Sequence, residues 1–351
     1  MNDKRIVIAD VAKKANISKT TVSRYLNGKY ESMSAETRLK IQEVIKELNY
    51  RPSNIARSLK SRKSGLIGCV IADITSPFSS YLVKGVNDVC KKKGYQVMFV
   101  NTDNQKESEL ESIDSLLDNK LEGLIVNTTG YNDEYLIDIH ENGMPIVMAD
   151  RTLKNKYLVD TITTENYHST FNCIKFLHNQ GYDKVAFFTE DPGAISSRIV
   201  RYNGYIDAMA KLYTLDGNKY KFLVDSTDLN VCMENLKIYK EENPDENLCI
   251  FAVNGVTLLN VLSSMANLGY MPGEDFGICG FDDWGWASLI PPGITTLTQD
   301  SYKTGVMSAE LMVKRIEKGI TPEKKYVELP TKLVVRGSTT IKPKDRKDVS
   351  K

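Results

Sequence analysis

Apolar residues recur along this chain with two different periods, and the change falls near residue 65. Before it, three short bursts at helical spacing predict three helices. Residues 10–15 spell the first, stopped by Asn16. Ser18 is a side-chain cap for the second, 19–26, which Asn27-Gly28 ends. Ser34 opens the third, where Leu39, Ile41, Val44, Ile45 and Leu48 follow up to Asn49-Tyr50, before Pro52. Two helices joined by so short a turn, the second rich in small and polar residues, form a helix-turn-helix unit. Ala12, Ala15, Ile17 and Val22 are expected to pack the pair, leaving Thr20, Thr21 and Arg24 outside. The plainer alternative is a three-helix bundle with a solvated face.

Residues 51–63 read as a basic linker, Pro52-Ser53-Asn54 and then Ile55-Ala56-Arg57-Ser58-Leu59-Lys60. They suit a helix of about two turns, too short to hold alone, which DNA or a second copy of itself would have to stabilise. From Gly65 onward, apolar runs alternate with amphipathic stretches. Strands are predicted at 66–72, 97–100, 123–126, 145–149, 184–188, 248–253 and 276–280. Helices are predicted at 79–93, 108–119, 165–180, 201–212, 256–268 and 302–318. That alternation implies an α/β core of doubly wound parallel sheets, with ligands beyond the carboxyl ends of strands. The length suits two subdomains facing a cleft. Residues 341–351 form a polar tail without a leucine heptad, so no added coiled coil is expected.

Charge sharpens this division. The net charge of the 351 residues is only +1, but residues 1–63 hold 15 Lys and Arg against 6 Asp and Glu. A basic head on an acidic body suggests that the head alone meets a polyanion. No apolar run approaches the ~18 residues of a membrane span, and the N-terminus shows no secretory signal, so a cytoplasmic protein is expected. The six cysteines are scattered and read as buried free thiols, with no metal site. Only three histidines occur, and the phosphate-loop, dinucleotide, nucleophile-elbow and zinc-protease signatures are absent, which argues against an enzyme and against a bound cofactor. A transport-type sugar-binding protein would share the core but not the basic head.

These segments carry a resemblance. Ile8-Ala9-Asp10-Val11-Ala12, Ser18-Lys19-Thr20-Thr21-Val22-Ser23-Arg24-Tyr25-Leu26-Asn27-Gly28, Asn49-Tyr50-Arg51-Pro52 and Ala56-Arg57-Ser58-Leu59 come first. Ser76-Pro77-Phe78, Asp150-Arg151, Gly280-Phe281-Asp282-Asp283 and Ile294-Thr295-Thr296-Leu297 follow in order. Together they resemble the LacI family of bacterial transcription regulators over residues 6 to about 339. The resemblance implies a helix-turn-helix domain at 1–50, a hinge at 51–63, and a periplasmic-binding-protein-like core at 64–340. It divides the core into an N-subdomain, 64–163 and 299–326, and a C-subdomain, 164–298 and 327–340. It also implies a homodimer, operator DNA as partner, repression as the default, and a small sugar or sugar-acid effector.

By that resemblance Lys19, Thr20, Thr21 and Arg24 face the major groove, where Arg and Lys can pair with guanine and Thr can touch a base edge. Leu59 matches a leucine that wedges into the minor groove, with Ser53, Asn54, Arg57 and Lys60 on backbone or groove floor. Effector contacts fall on Phe78, Ser79, Asn127, Asp150, Ser197, Arg201, Asn254, Asp282 and Gln299. Arg201, at a helix start, is the leading candidate, and Asp282, at a strand end, the second. Helix capping or a hinge contact is the competing role for Asp282, and a salt bridge to Arg151 for Asp150. Three positions depart from the family. Val7 stands where a capping hydroxyl is expected, so the first helix should start loosely. Ser226 stands where an aromatic is common; Trp284 and Trp286, just after Asp282-Asp283, are the candidates for the missing ring, with Trp284 taken as the effector contact and an interface or core position as the alternative. Gly255 replaces an acid after Asn254. Arg198 and Arg201 together suit an acid sugar, and the Trp-bearing segment after Asp282-Asp283 resembles that of regulators of ketodeoxygluconate and pectin-sugar use.

Overall fold

The computed structural model describes residues 6–31, 33–50, 64–225 and 228–340. The expectations placed on Ser53, Asn54, Arg57, Leu59 and Lys60 of the linker, on Ser226 and on the tail lie outside the described residues. The chain divides into two compact units, Met1–Gly65 and Leu66–Lys351.

The first unit is built on α1 (Ile8–Ala15), α2 (Lys19–Leu26) and α3 (Ala35–Glu47). Each start has a physical cause. The Ser18 and Ser34 hydroxyls accept the amides of Thr21 and Thr37, at 3.0 and 3.1 Å. Each such cap contributes about 1 kcal/mol. At the start of α1, as expected, Val7 provides no side-chain cap; the Asp10 carboxylate, inside the helix, accepts the Val7 amide at 2.8 Å instead. Asn16 closes α1 in the left-handed conformation, φ 50°. Val11, Ala12, Ala15, Val22, Ile41 and Val44 make the small core. Leu39 does not join it and is 59% exposed, because helical geometry sets it nearly opposite Ile41 and Val44 on α3.

The second unit holds two six-stranded sheets. The first is assembled from β1 (Leu66–Ile71), β2 (Gln96–Asn101), β3 (Gly123–Val126), β4 (Ile146–Ala149), β5 (Asp160–Thr164) and β11 (Tyr326–Leu329), in the order β11-β5-β4-β3-β1-β2. Around it lie α4 (Pro77–Lys93), α5 (Lys106–Leu117), α6 (Asp133–Glu141) and α11 (Ser301–Lys318). The second contains β6 (Lys184–Thr189), β7 (Lys221–Leu223), β8 (Leu248–Ala252), β9 (Gly277–Phe281), β10 (Thr295–Thr298) and β12 (Lys332–Val334), in the order β12-β10-β9-β8-β6-β7. Its helices are α7 (Asn166–Gln180), α8 (Ser196–Ala208), α9 (Leu229–Glu241) and α10 (Gly255–Leu268). All pairings are parallel except β10 with β12. The central strands β1, β3 and β8 are apolar and almost wholly buried, as strands covered on both faces must be.

The chain crosses between these lobes after β5, after β10 and after β11. The last crossing corrects the boundary drawn at 326, since Tyr326–Leu329 pairs in register with Thr161–Thr164 of the first sheet. In the first lobe α4 and α11 pack backbone to backbone. A Cβ on Gly85 would stand 2.2 Å from the Tyr302 carbonyl oxygen, and one on Gly305 2.1 Å from that of Leu82. Only hydrogen fits there, which fixes the height of α4, and so of Phe78 and Ser79 at its start. All six cysteines are buried and free. No helix among the described residues is long and apolar enough to cross a membrane.

Candidate functional site

The outer face of α2 carries the candidate DNA-reading residues. Val22 is fully buried, while Lys19, Thr20 and Arg24 are exposed. Thr21 is half-buried, its hydroxyl 2.9 Å from that of Ser18.

In the second unit, Phe78, Ser79, Asn127, Asp150, Ser197, Arg201, Asn254, Asp282, Trp284 and Gln299 all line one cavity of about 550 Å³. The topology explains the convergence. Phe78 and Ser79 follow β1, Asn127 follows β3 and Asp150 follows β4; Asn254 follows β8, Asp282 follows β9 and Gln299 follows β10. Each lies beyond a strand's carboxyl end, where the helices have not yet closed over the sheet. Arg201 is not at a helix start: α8 begins at Ser196, which sets Arg201 in its second turn and buries it.

Arg201 organises the floor. Its Nε donates to Asn166 Oδ1 at 2.7 Å, Nη1 to the Val253 carbonyl at 2.7 Å, and Nη2 to Gln299 Oε1 at 3.3 Å. The guanidinium lies 3.5 Å from the centre of the Phe281 ring. Gln299, on the second crossing, donates to Asp282 Oδ1 at 2.6 Å and accepts from the Thr164 hydroxyl, on the first, at 2.9 Å. Asp282 Oδ2 accepts the Gly255 amide at 3.1 Å. Asp282 thus combines the helix-start and hinge contacts anticipated as its competing roles with a place in the cavity wall.

Asp150 and Asp282 occupy matching positions in the two lobes, each at a strand end and each with positive φ, 69° and 76°. Such geometry is uncommon outside glycine and clusters at functional sites. Burial pushes both carboxyls above their ordinary range, and Arg201 opposes it in each case. The same burial holds Arg201 below its ordinary value. Asp150 accepts from Asn127 at 3.3 Å but forms no hydrogen bond with Arg151, whose guanidinium donates to Asn104 Oδ1 at 2.8 Å and the Thr128 carbonyl at 2.9 Å. Burial lowers Arg151 to about 10, still charged at neutral pH.

Other lining residues were not singled out in the sequence: Asp73, Asn104, Gln105, Glu190 and Ile195. Four of them stand within a few residues of a strand end, and that position was the available signal. Glu190 changes the chemistry most. It accepts Arg198 Nη2 at 2.8 Å, the Asn254 amide at 3.1 Å and the Thr257 hydroxyl at 2.7 Å. Arg198 therefore reaches the cavity with its charge already matched. Trp286 packs into the second lobe's core, away from the cavity. Across the lobes, the Thr152 amide donates to Ser196 Oγ at 2.8 Å.

Because Asp150 titrates above its unfolded range, its ionisation costs stability. That cost is absent below about 3.8 and grows as pH rises through the raised value. Asp150→Asn is therefore expected to gain in melting temperature relative to wild type between pH 4 and pH 7. A gap that shrinks over this interval, in paired thermal melts, reverses the sign.

A basic helix-turn-helix unit followed by a two-lobed core around a polar cleft defines a ligand-controlled, DNA-binding transcription regulator. The chain belongs to the lacI family of bacterial regulatory proteins. That family's model matches residues 7–53, and the model of the periplasmic binding protein-like domain matches 174–339. The HTH-type transcriptional regulator KdgR of Bacillus subtilis (strain 168) is 41% identical over 331 residues, 94% of this chain and 97% of that protein. The ribose operon repressor of Halalkalibacterium halodurans is 32% identical, over 95% and 96% of the two chains. In fold, the chain is similar to the Lac repressor dimer bound to operator and the anti-inducer ONPF, with TM-score 0.80 and 22% identity over 97% of this chain and 100% of that one.

Proposed function

We propose that this protein is a cytoplasmic homodimer, without catalytic activity, that represses transcription until a small sugar or sugar acid enters the cleft. The observation that carries the effector reading is the facing pair Asp150 and Asp282 around Arg201. Carboxylates, amides and a planar guanidinium suit hydroxyls that both donate and accept, and a volume of about 550 Å³ suits a monosaccharide. Phe78 and Trp284 supply apolar faces. Arg198 can serve an acid group where a ligand carboxylate replaces Glu190. The name of the ribose operon repressor relative supports a sugar-linked role. Tyr81 on α4 and Phe99 on the edge strand β2, 51% and 38% exposed, support pairing of two first lobes.

Effector-driven reorientation of the lobes would change the spacing of the two heads, and residues 51–63, with Asn54, Arg57, Leu59 and Lys60, would transmit it. Couplings of about 1–3 kcal/mol are usual for such linkage. A thermal-shift series with sugars and sugar acids tests the effector. A ligand at about 100 times its Kd stabilises by about 2.7 kcal/mol; no shift with any of them removes the carbohydrate reading.

On DNA, Lys19, Thr20, Thr21 and Arg24 are proposed to read bases. Arg24→Ala is expected to weaken operator binding by about 1–3 kcal/mol and relax one base position. Lys60→Ala should weaken all sequences alike. Binding-site selection with each variant measures both, and an equal loss on random DNA for Arg24→Ala would place that residue on phosphate.

A further inference from the structure

Trp284 belongs to the second lobe, in the loop after β9. Its indole nevertheless packs against the apolar cluster of the first lobe that contains Ile71, Phe78 and Leu82. It is thus a side chain of one lobe seated on the other, at the wall of the cleft. The same ring covers Gly255, the first residue of α10. A Cβ on Gly255 would stand 2.4 Å from Trp284 Cη2, 2.7 Å from Cζ3 and 2.8 Å from Cζ2. Real side chains do not approach ring carbons so closely, so the indole fills the volume a side chain at 255 would take. Gly255 opens an ordinary α-helix, where the backbone makes no demand for glycine. Its missing side chain serves the ring.

The polar groups beside this ring are already engaged. The Gly255 amide donates to Asp282. Asn254 Oδ1 accepts the Thr257 amide at 2.8 Å, and its own amide donates to Glu190. This wall therefore presents aromatic surface where a longer residue at 255 would present hydrogen-bonding atoms.

We propose that Gly255 and Trp284 form a matched pair that selects the effector and couples its binding to lobe closure. The indole, admitted only because residue 255 lacks a side chain, faces a C–H-rich face of the carbohydrate and docks on the first lobe in the closed cleft. This deepens the effector reading and rests on it. A ligand that needs a hydroxyl partner at this wall is excluded; one that turns ring or chain carbons towards it is favoured.

The test uses the full chain and four variants: Gly255→Ala, Trp284→Ala, the double variant and Trp284→Phe. Without ligand, Gly255→Ala is expected to lower the melting temperature by several degrees in the native background and to have little effect once Trp284→Ala has removed the ring. Equal losses in both backgrounds overturn the pairing. Each protein is then titrated with glucose, gluconate, glucuronate, galacturonate, 2-deoxyglucose and ribose. The compound that most stabilises the native chain is expected to bind Trp284→Ala about tenfold or more weakly and to retain most of its affinity for Trp284→Phe. Unchanged affinity in Trp284→Ala overturns the selection role. If none of the six stabilises the native chain, the carbohydrate reading is what fails, and the ligand-free melts still decide the pairing.

Discussion

Arg201→Ala is expected to abolish the thermal response to effector and to cost the core about 3 kcal/mol or more. The side chain is only 3% exposed and donates to three acceptors, two of them at 2.7 Å. Truncation leaves the Val253 carbonyl and Asn166 Oδ1 buried without that donor, at about 1–3 kcal/mol each. It also removes the cation that opposes the burial of Asp150 and Asp282, one on each lobe. Both carboxyls then rise further, and a wall built to accept hydroxyl protons is partly neutralised. Arg201→Lys separates charge from geometry: it keeps the cation but not the fork that reaches Asn166, Val253 and Gln299 together. It should recover part of the stability and little of the response. Because the first unit has its own core, binding of the truncated variant to DNA should persist below its melting temperature. A normal effector shift in Arg201→Ala would mean that the ligand sits elsewhere.

The strand–helix alternation was legible wherever burial forced a continuous apolar run, as in β1, β3, β4 and β8. β5 was not, because Asp-Thr-Ile-Thr-Thr reads as polar yet is buried along its whole length. Its hydroxyls find partners within the first lobe and at the hinge: Thr163 donates to the Asp150 carbonyl and Thr164 to Gln299. No local pattern announces such bonds, since the partners are distant in sequence. The same holds for Glu190, whose importance comes from Arg198, Asn254 and Thr257 meeting it in space. The helix predicted at 201–212 begins instead at Ser196, whose hydroxyl accepts the Thr152 amide. The departures Gly255 and Trp284 were visible separately. That they explain one another is a fact of packing between residues nearly thirty apart, and sequence order hides it.

A large loss of stability is expected from Arg315→Ala, which breaks the buried ion pair holding the segment that leads from α11 into β11. Arg315 and Asp160 are 6% and 2% exposed at the side chain. They meet through two bonds, Nε to Oδ2 at 2.6 Å and Nη2 to Oδ1 at 2.8 Å. Asp160 Oδ1 also accepts the Lys325 amide at 2.7 Å, and Arg315 donates to the Glu323 carbonyl at 3.1 Å and to the Thr321 hydroxyl. One pair thus fastens α11, the first residue of β5 and the segment that delivers β11. Removing one member of a buried pair costs about 3–5 kcal/mol, a large share of the ~5–15 kcal/mol that holds a domain together. The melting temperature should fall by about 10 °C. Replacing both members by apolar residues, often harmless for an isolated buried pair, should not restore it here, because the Lys325 amide would lose its acceptor. Asp160→Asn is the more damaging of the single changes. It leaves two cations, Arg315 and Lys324, in one partly buried pocket beside His140, where burial already holds both Lys324 and His140 below their ordinary values. Calorimetric melts of Arg315→Ala, Asp160→Asn and the apolar double variant rank these outcomes. A loss below about 1 kcal/mol in either single variant would show that the pair is solvated in the native protein and anchors nothing.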